Sequence, residues 1–348
     1  MPLESYVIDI MEGRRRGKFL LRALSYLYQA GVRLRNQAYD LGLLAAHDAG
    51  LPVISVGNIV AGGTGKTPFV KLLAQKLSSD FRVAILSRGY RSAVEKTEKN
   101  LLVEPGTPPS ECGDEPSWLA RVLPHVQVWV GKNRLKSAQL AQQKGAEILL
   151  MDDGMQHRQL KRDFEIVLVD GEDPFGKGFF LPRGLLRDAP QRLRTADCVV
   201  AIDPSEQIEE QLRLFTRAPI VHARRISELS LNEKKVAVFC AIGNPQRFLK
   251  SVREAGGAII ATFFKPDHDP FTAEELRSFA KESGAEALVC TEKDHVKLPA
   301  DFQCAIPVIP FPSHLEIINN TRAWEQLLNK IQSKIRVQHD RRISSHAS

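Results

Sequence analysis

Short apolar runs alternate with amphipathic segments along the first half of the chain. The segments at about 68–77, 116–123 and 134–144 have the apolar spacing of helices. Apolar runs of four to six residues lie between them and are interpreted as strands: 52–56, 83–86, 126–130, 147–151 and 165–170. Because short apolar strands that alternate with helices belong to parallel sheets with right-handed crossovers, this half is predicted to be α/β.

A second, shorter unit repeats this pattern. Strands are predicted at 236–241, 258–264 and 287–291, with helices between them. Thr272 and Glu275 have the spacing of a capping box, which places a helix start at Thr272. This βαβαβ pattern predicts a Rossmann-like α/β domain. The polar residues 337–348 are predicted to be a disordered tail.

The N-terminal residues 1–50 are predicted to be a basic amphipathic helical segment. Leu20, Leu24, Leu27 and Leu34 fall on one helical face. Seven basic residues and a single acid, Glu12, lie between residues 12 and 35. The uncharged stretch 23–32 is too short to span a bilayer. Two interpretations stay open from these residues: a helix in the interface of an anionic membrane, or a helix packed on the protein body.

Composition limits the function classes. Hydrophobic residues make up 43% of the 348 residues and charged residues 26%, as in soluble globular proteins. Five cysteines without a C-x-x-C spacing argue against a disulfide framework or a zinc site and favour a reducing compartment. The net charge of +7 is concentrated near the N-terminus, so no nucleic-acid partner is expected. No signal-peptide pattern is found in residues 1–13.

A glycine-rich loop between a predicted strand and a predicted helix suggests a phosphate site. Its residues are Gly62, Gly63, Thr64, Gly65, Lys66 and Thr67. Glycines let backbone N–H groups surround phosphate oxygens, Lys66 would reach the β- and γ-phosphates, and the Thr67 hydroxyl would bind Mg²⁺. Val60 stands where the usual motif has its first glycine. A chance glycine turn is the weaker alternative. The fold class is therefore a P-loop NTPase-like parallel-sheet domain over 51–214, with the smaller Rossmann-like domain over 215–336.

Acidic residues in two further motifs are candidates for catalysis or metal binding. Asp152 and Asp153 follow an apolar strand, as in a Walker B motif, where a carboxylate can hold Mg²⁺ directly or through water. Asp114 and Glu115 precede Pro116, and helix capping explains them equally well on sequence grounds. His268, between two acids and two prolines, could equally belong to a surface turn.

Taken together, these stretches resemble the tetraacyldisaccharide 4′-kinases of lipid A biosynthesis. The stretches that carry the resemblance run from about residue 50 to 298 in the family's order: SVGNIVAGGTGKTP, SRGYR, GDEP, DDGMQH, RDFEIVLVD, FGKGFFLPRGLLRD, IGNPQRF, DHD and TEKD. In that family the loop also lacks its first glycine.

The resemblance implies an enzyme that transfers the γ-phosphate of ATP to the 4′-hydroxyl of an acylated glucosamine disaccharide 1-phosphate. It implies Mg²⁺ and ATP as cofactors, with Thr67, Asp153 and Asp188 as metal ligands and Asp152 and Lys66 in the catalytic set. Asp114, paired with His268, would act as the base. ATP would lie at the N-terminal loop and the lipid headgroup in a cleft between the two domains.

The resemblance also implies a peripheral protein on the cytoplasmic face of the bacterial inner membrane, with the N-terminal helix on lipid. Two positions depart from the family pattern. Asp188 stands where the family usually has Glu, and Asp269 stands where it often has a second His. The histidine role is therefore assigned to His268. A membrane-associated P-loop NTPase switch or assembly factor is the alternative function, although no Asn-Lys-x-Asp motif for guanine is present.

Overall fold

The computed structural model describes residues 18–299 and 301–346, and its chain divides into two compact units. The first unit contains residues 1–66, 147–224 and 317–348, and the second contains 67–146 and 225–316. The predicted domain boundaries at residues 50, 214 and 336 stay a prediction. None of the helices among the described residues has both the length and the apolar character that crossing a bilayer requires.

The first unit is a mostly parallel sheet with helices packed on it. Its strands are β1 (Val53–Asn58), β5 (Ile148–Asp152), β6 (Phe164–Asp170), β7 (Cys198–Ile202), β8 (Ile220–Ile226) and β13 (His314–Asn319), and its helices are α1 (Lys18–Asp40), α6 (Ile208–Arg213) and α10 (Thr321–His346). The strand order is β13-β8-β7-β6-β1-β5, and β1 pairs in parallel with both β5 and β6. Every residue of β1, β5 and β7 is buried, as expected of strands that are covered on both faces.

The second unit contains two groups of strands. Its first group consists of β2 (Val83–Ser87), β3 (Leu101–Leu102) and β4 (Gln127–Val130), with β2 parallel and β3 antiparallel to β4. Four helices lie along the same part of the chain: α2 (Lys66–Leu77), α3 (Pro109–Cys112), α4 (Asp114–Val122) and α5 (Arg134–Gln143).

The second group is a four-stranded parallel sheet in the order β10-β9-β11-β12. Its elements are β9 (Lys235–Cys240), α7 (Pro245–Glu254), β10 (Ala258–Phe264), α8 (Ala273–Ser283), β11 (Ala287–Thr291), α9 (Glu292–His295) and β12 (Val308–Phe311). Alternate β9 residues face opposite sides: Val236 and Val238 pack toward Phe248 of α7, whereas Ala237 and Phe239 pack with Leu276 of α8.

The observed elements confirm the predicted α/β class with predominantly parallel strands. The predicted strands and helices agree with the observed ones to within about two residues, and the capping box of Thr272 and Glu275 is present on α8. The sequence did not predict β3, β7, β8, β12 or β13.

The predicted disordered tail is corrected as far as His346, because α10 continues through residues 337–346. Buried side chains and ion pairs help to explain the length of this helix. Ile331 and Ile335 are buried along one side. Lys334 lies 3.1 Å from Asp163, and His339 Nε2 lies 3.5 Å from Glu147.

Helix α1 packs through a face that the apolar stripe does not predict. Its buried residues are Leu21, Ser25, Val32 and Asn36, spaced for one helical face. The predicted stripe lies elsewhere: Leu20, Leu27 and Leu34 are each 65–71% exposed. Helix α1 therefore packs on the protein body, as one of the two interpretations had it, but its leucine stripe is not the packing face. Arg14, Arg15 and Arg16 of the predicted basic segment lie outside the described residues.

Candidate active site

The glycine loop joins β1 to α2 in an open conformation. Gly62 and Gly65 have φ values of +107° and +84°, which strongly favour glycine. A Cβ added at Gly62 or Gly63 would meet no atom within 4 Å, so the space along this backbone is open. Open glycine backbone before a helix N-terminus is the arrangement that accepts a polyphosphate.

Two amide side chains, those of Asn58 and Gln156, support this loop through hydrogen bonds. Asn58, the last residue of β1, is buried, and its Nδ2 donates a hydrogen bond of 2.8 Å to Thr64 Oγ1. Gln156 Nε2 donates to the Asn58 carbonyl oxygen at 2.9 Å. Asn58 and Gln156 lie in the motifs that carried the resemblance, but no role was predicted for either.

Lys66 and Arg187 converge on the carboxylate of Asp153. Arg187 donates through its two terminal nitrogens to the two Asp153 oxygens at 2.9 and 3.0 Å. Lys66 Nζ lies 3.6 Å from Asp153 Oδ1. Burial lowers the pKa of Arg187, but its pairing with Asp153 outweighs burial and raises the pKa above the ordinary value. Arg187 belongs to the stretch FGKGFFLPRGLLRD (residues 175–188, the proline-glycine loop), and its partner here is the acidic Asp153.

Thr67 and Asp152 each carry an oxygen atom suited to bind a metal ion. Thr67 is buried in the first turn of α2. Asp152 is the last residue of β5 and is buried, and β1 pairs with it at Val56. Functional side chains of parallel sheets commonly lie at this carboxyl edge.

Asp188 is bonded to helix α1. Its Oδ1 accepts hydrogen bonds from Asn36 Nδ2 at 2.9 Å and from the Ala189 backbone N–H at 3.0 Å. Arg35 adds an ion pair at 3.8 Å from Oδ2. In this structure Asp188 therefore connects α1 to the proline-glycine loop, and its metal-binding role stays a prediction.

Asp114 and His268, which are 154 residues apart in sequence, are in direct contact. His268 Nδ1 and Asp114 Oδ2 are 3.1 Å apart, and His268 Nε2 lies 3.8 Å from Asp267 Oδ1. Asp114 is the first residue of α4, whose N-cap Gly113 makes no side-chain cap. Both residues belong to the second compact unit, so this pair forms within one unit.

The surrounding backbone fixes the direction of His268. Its φ of +70° is uncommon for a residue with a side chain, and its N–H donates to the Ala241 carbonyl oxygen at 3.2 Å. The ring also contacts Tyr90 edge-on, with centroids 5.6 Å apart. Asp269, which replaces the family's second histidine, lies 3.6 Å from Arg91.

Contact between Asp114 and His268 shifts the pKa of each residue. Burial raises the pKa of Asp114, but hydrogen bonds from His268 and Lys297 and the Lys297 charge outweigh it and lower the net pKa. The hydrogen bond to Asp114 raises the pKa of His268 against the opposing effect of burial. The Asp114 carboxylate thus stays ionised and can accept a hydrogen bond from a hydroxyl group, and the contact with His268 gives the proton a second acceptor.

The TEKD motif lies beside this pair. Thr291 caps α9 through Asp294, and Lys293 forms an ion pair with Glu115. Lys297, one turn beyond the motif, contacts Asp114 at 3.0 Å. TEKD is one of the stretches that carried the resemblance, but a role for Lys297 was not predicted, because its contact with Asp114 joins residues far apart in sequence.

Comparisons with known proteins give the family. The family model for tetraacyldisaccharide-1-P 4′-kinase, LpxK, matches residues 17–332. The chain belongs to the tetraacyldisaccharide-1-P 4′-kinase family. The match includes the glycine loop, both acidic motifs and Lys297, and it confirms the resemblance that the motifs suggested.

Relatives within this kinase family match over most of their length. The tetraacyldisaccharide 4′-kinase of Chlamydia trachomatis is 38% identical over 94% of this chain and 92% of its own. That of Halothermothrix orenii is 34% identical over 86% and 89%. The crystal structure of LpxK from Aquifex aeolicus in complex with ATP is 32% identical, with a TM-score of 0.72, and the match covers 91% of this chain and 99% of that one.

Proposed function

We propose that this protein is an ATP-dependent tetraacyldisaccharide 4′-kinase. It transfers the γ-phosphate of ATP to the 4′-hydroxyl of a tetraacyldisaccharide 1-phosphate and gives the 1,4′-bisphosphate. The observation that carries the proposal is the open glycine loop leading into Lys66, in a chain whose relatives are named for this reaction. A kinase of the same family with a solved structure is described in complex with ATP.

The residues around the loop fit Mg-ATP. Bound Mg²⁺ would neutralise phosphate charge, and Thr67 with Asp152 or Asp153 would hold it. Within residues 18–299 and 301–346, no cluster of three or more His, Cys, Asp or Glu forms a metal cage. Mg²⁺ typically takes only one or two protein carboxylates and completes its shell with phosphates and water, so this donor set suits it.

Each side chain has a separate electrostatic task. Lys66 is available to exchange the Asp153 carboxylate for phosphate oxygens, and Arg187 keeps Asp153 in place during that exchange. Asp114, held by His268, accepts the proton of the sugar hydroxyl. Phosphoryl transfer depends mainly on positioning and charge stabilisation, which these groups supply.

The test is direct phosphorylation by purified protein. We expect incubation with Mg-ATP and the disaccharide 1-phosphate to add one phosphate, detected by mass spectrometry and located at the 4′ position by fragmentation. ATP turnover should depend on the lipid. Slow ATP hydrolysis that ignores the lipid, with no phosphorylated product, would instead support the alternative of an NTPase switch or assembly factor.

We also propose that α1 contacts an anionic membrane surface and that the protein is peripheral on the cytoplasmic face of the bacterial inner membrane. The support is the orientation of α1. Ser25 donates to the Phe180 carbonyl oxygen at 2.7 Å and Asn36 donates to Asp188, so polar groups face the body. Leu20, Leu27 and Leu34 face outward beside arginines, the composition of an interfacial helix.

Vesicle co-sedimentation tests this surface. The triple variant Leu20→Gln, Leu24→Gln, Leu27→Gln should lose most binding to phosphatidylglycerol vesicles, and high salt should weaken binding of the unmodified protein. Leu214→Gln is the matched control, because Leu214 is equally exposed but lies at the end of α6. Unchanged binding of the triple variant would refute the membrane contact.

A further inference from the structure

Lys297 occupies a buried position between two carboxylates. Its Nζ lies 3.0 Å from Asp114 Oδ2 and 3.1 Å from Asp294 Oδ1, and its side chain is only 8% exposed. A buried ammonium group is costly unless it is paired. Burial lowers the pKa of Lys297, but the two carboxylates outweigh it and raise the pKa, so the residue stays charged.

Asp294 is itself rigidly held. It is buried, and its Oδ2 accepts hydrogen bonds from Thr291 Oγ1 at 2.7 Å and from the Ala241 backbone N–H at 3.1 Å. The same Ala241 accepts a hydrogen bond from the His268 N–H through its carbonyl oxygen. The end of β9 thus fixes His268 directly and Lys297 through Asp294.

Both partners of Asp114 are therefore anchored to one backbone position. His268 and Lys297 contact the same oxygen, Asp114 Oδ2. Two donors on one oxygen hold the carboxylate in a single orientation and leave the other oxygen, Oδ1, for a different partner. A proton acceptor held in this way loses little rotational freedom when a substrate binds.

We propose that Lys297, supported by Asp294, is a positioning residue that orients the Asp114 carboxylate and keeps it ionised. This inference rests on the proposed kinase function. Lys297 itself needs no contact with either substrate, because it acts through Asp114. The assignment gives the TEKD segment and the lysine after it a task in the reaction.

The charged groups around Asp114 and His268 determine how removal of Lys297 changes the pKa values of these two residues. The charged or titratable groups that face Asp114 and His268 are Lys297 and Asp294 from the α9 region, Glu115 and Lys293 as an ion pair, Cys112, Asp267 and Tyr90. Lys297 lowers the pKa of Asp114, so its removal should raise that pKa. Loss of this positive charge near His268 should also favour the protonated imidazole and raise the pKa of His268.

The first experiment measures the pH profile of kcat for Lys297→Met and Lys297→Arg. Lys297→Met should lower kcat at neutral pH by about 10- to 100-fold and shift the acidic limb to higher pH, with a small change in KM for ATP. Lys297→Arg keeps the positive charge, so it should retain most of kcat, and the acidic limb of its pH profile should stay close to that of the unmodified protein. Lys281→Met is the control, because it removes one exposed charge from the same unit and should leave the profile unchanged.

The second experiment needs no activity. NMR titration of the His268 ring, assigned with His268→Ala, should show a higher pKa in Lys297→Met than in the unmodified protein. A uniform loss of activity with an unmoved acidic limb, or an unchanged His268 titration in a folded variant, would overturn the role of Lys297. A protein that shows the His268 shift but never phosphorylates the disaccharide would refute the kinase proposal instead.

Discussion

Arg187 holds the Asp153 carboxylate through two hydrogen bonds, and Lys66 Nζ lies 3.6 Å from the same carboxylate. Lys66 is thus held at the start of α2 before any nucleotide binds. Because its partner is also fixed by Arg187, exchange of carboxylate for phosphate requires movement of the lysine side chain alone.

Lys66→Ala should abolish measurable kinase activity while the fold survives. The side chain supplies charge to the phosphates rather than packing to the core, and loss of such charge stabilisation costs at least about 100-fold in kcat. Steady-state kinetics and circular dichroism would check this prediction. Lys76→Ala, an exposed lysine on the same helix, is the control and should retain activity. Near-normal turnover by folded Lys66→Ala would contradict the nucleotide-site assignment.

Asp114→Asn and His268→Ala should each lower kcat by about 10²–10⁴-fold, the range for loss of general-base catalysis. ATP binding should change little, which calorimetry with a nonhydrolysable nucleotide would check. Because the side chains contact each other at 3.1 Å, the double variant should lose much less than the product of the two single losses. Multiplicative losses would show that the residues act independently.

The Asp114–His268 pair should also make stability depend on pH. Asp114 has a lowered folded pKa, so its contribution is present above its unfolded pKa of about 3.9 and is lost as pH falls through the lower folded value. His268 has a raised folded pKa, so its contribution is present below about 6.5 and is lost as pH rises through the higher folded value.

The destabilisation caused by His268→Gln should therefore be larger at about pH 5 than at about pH 9. Urea unfolding at the two pH values measures this difference. His314→Gln, a histidine on β13, controls for the general effect of removing an imidazole. An equal loss at both pH values would mean that the charge of His268 contributes nothing to folding.

Asn36→Leu should loosen α1 from the first unit. The variant keeps a side chain of similar size but leaves the buried Asp188 carboxylate without one donor, at a cost of about 1–3 kcal/mol. Thermal unfolding and proteolysis near α1 measure the effect. Gln37→Leu, the exposed neighbour, is the control. A variant as stable as the unmodified protein would show that the Asn36 bond is dispensable.

Much of the fold was predictable because local patterns determine it. The continuous apolar sequences of β1 and β5 follow from burial on both faces, and the capping box of α8 follows from residues three apart. The short strand β3 has only two residues, too few for a periodic signal. Helix α10 was not predicted, and it continues into residues 337–346, where the polar composition had predicted a disordered tail.

The site was predictable in its motifs but not in its pairings. Residue types and strand ends indicated Lys66, Asp153 and Asp114 one motif at a time. The bonds of Asn36 to Asp188 and of Lys297 to Asp114 join residues more than 150 positions apart, and no sequence period reports such contacts. The burial of Ser25 and Asn36 on α1 likewise ran against the hydrophobic pattern, since polar bonds outweigh the usual preference there.

The outward face of α1 also has a practical consequence for work with the purified protein. Its exposed residues Leu20, Leu27 and Leu34 contribute little to folding, yet they form the surface through which concentrated samples would stick to one another without detergent. Replacing them while keeping Ser25 and Asn36 separates solubility from catalysis. Such a detergent-free enzyme would suit crystallisation and inhibitor screening with water-soluble analogues of the disaccharide.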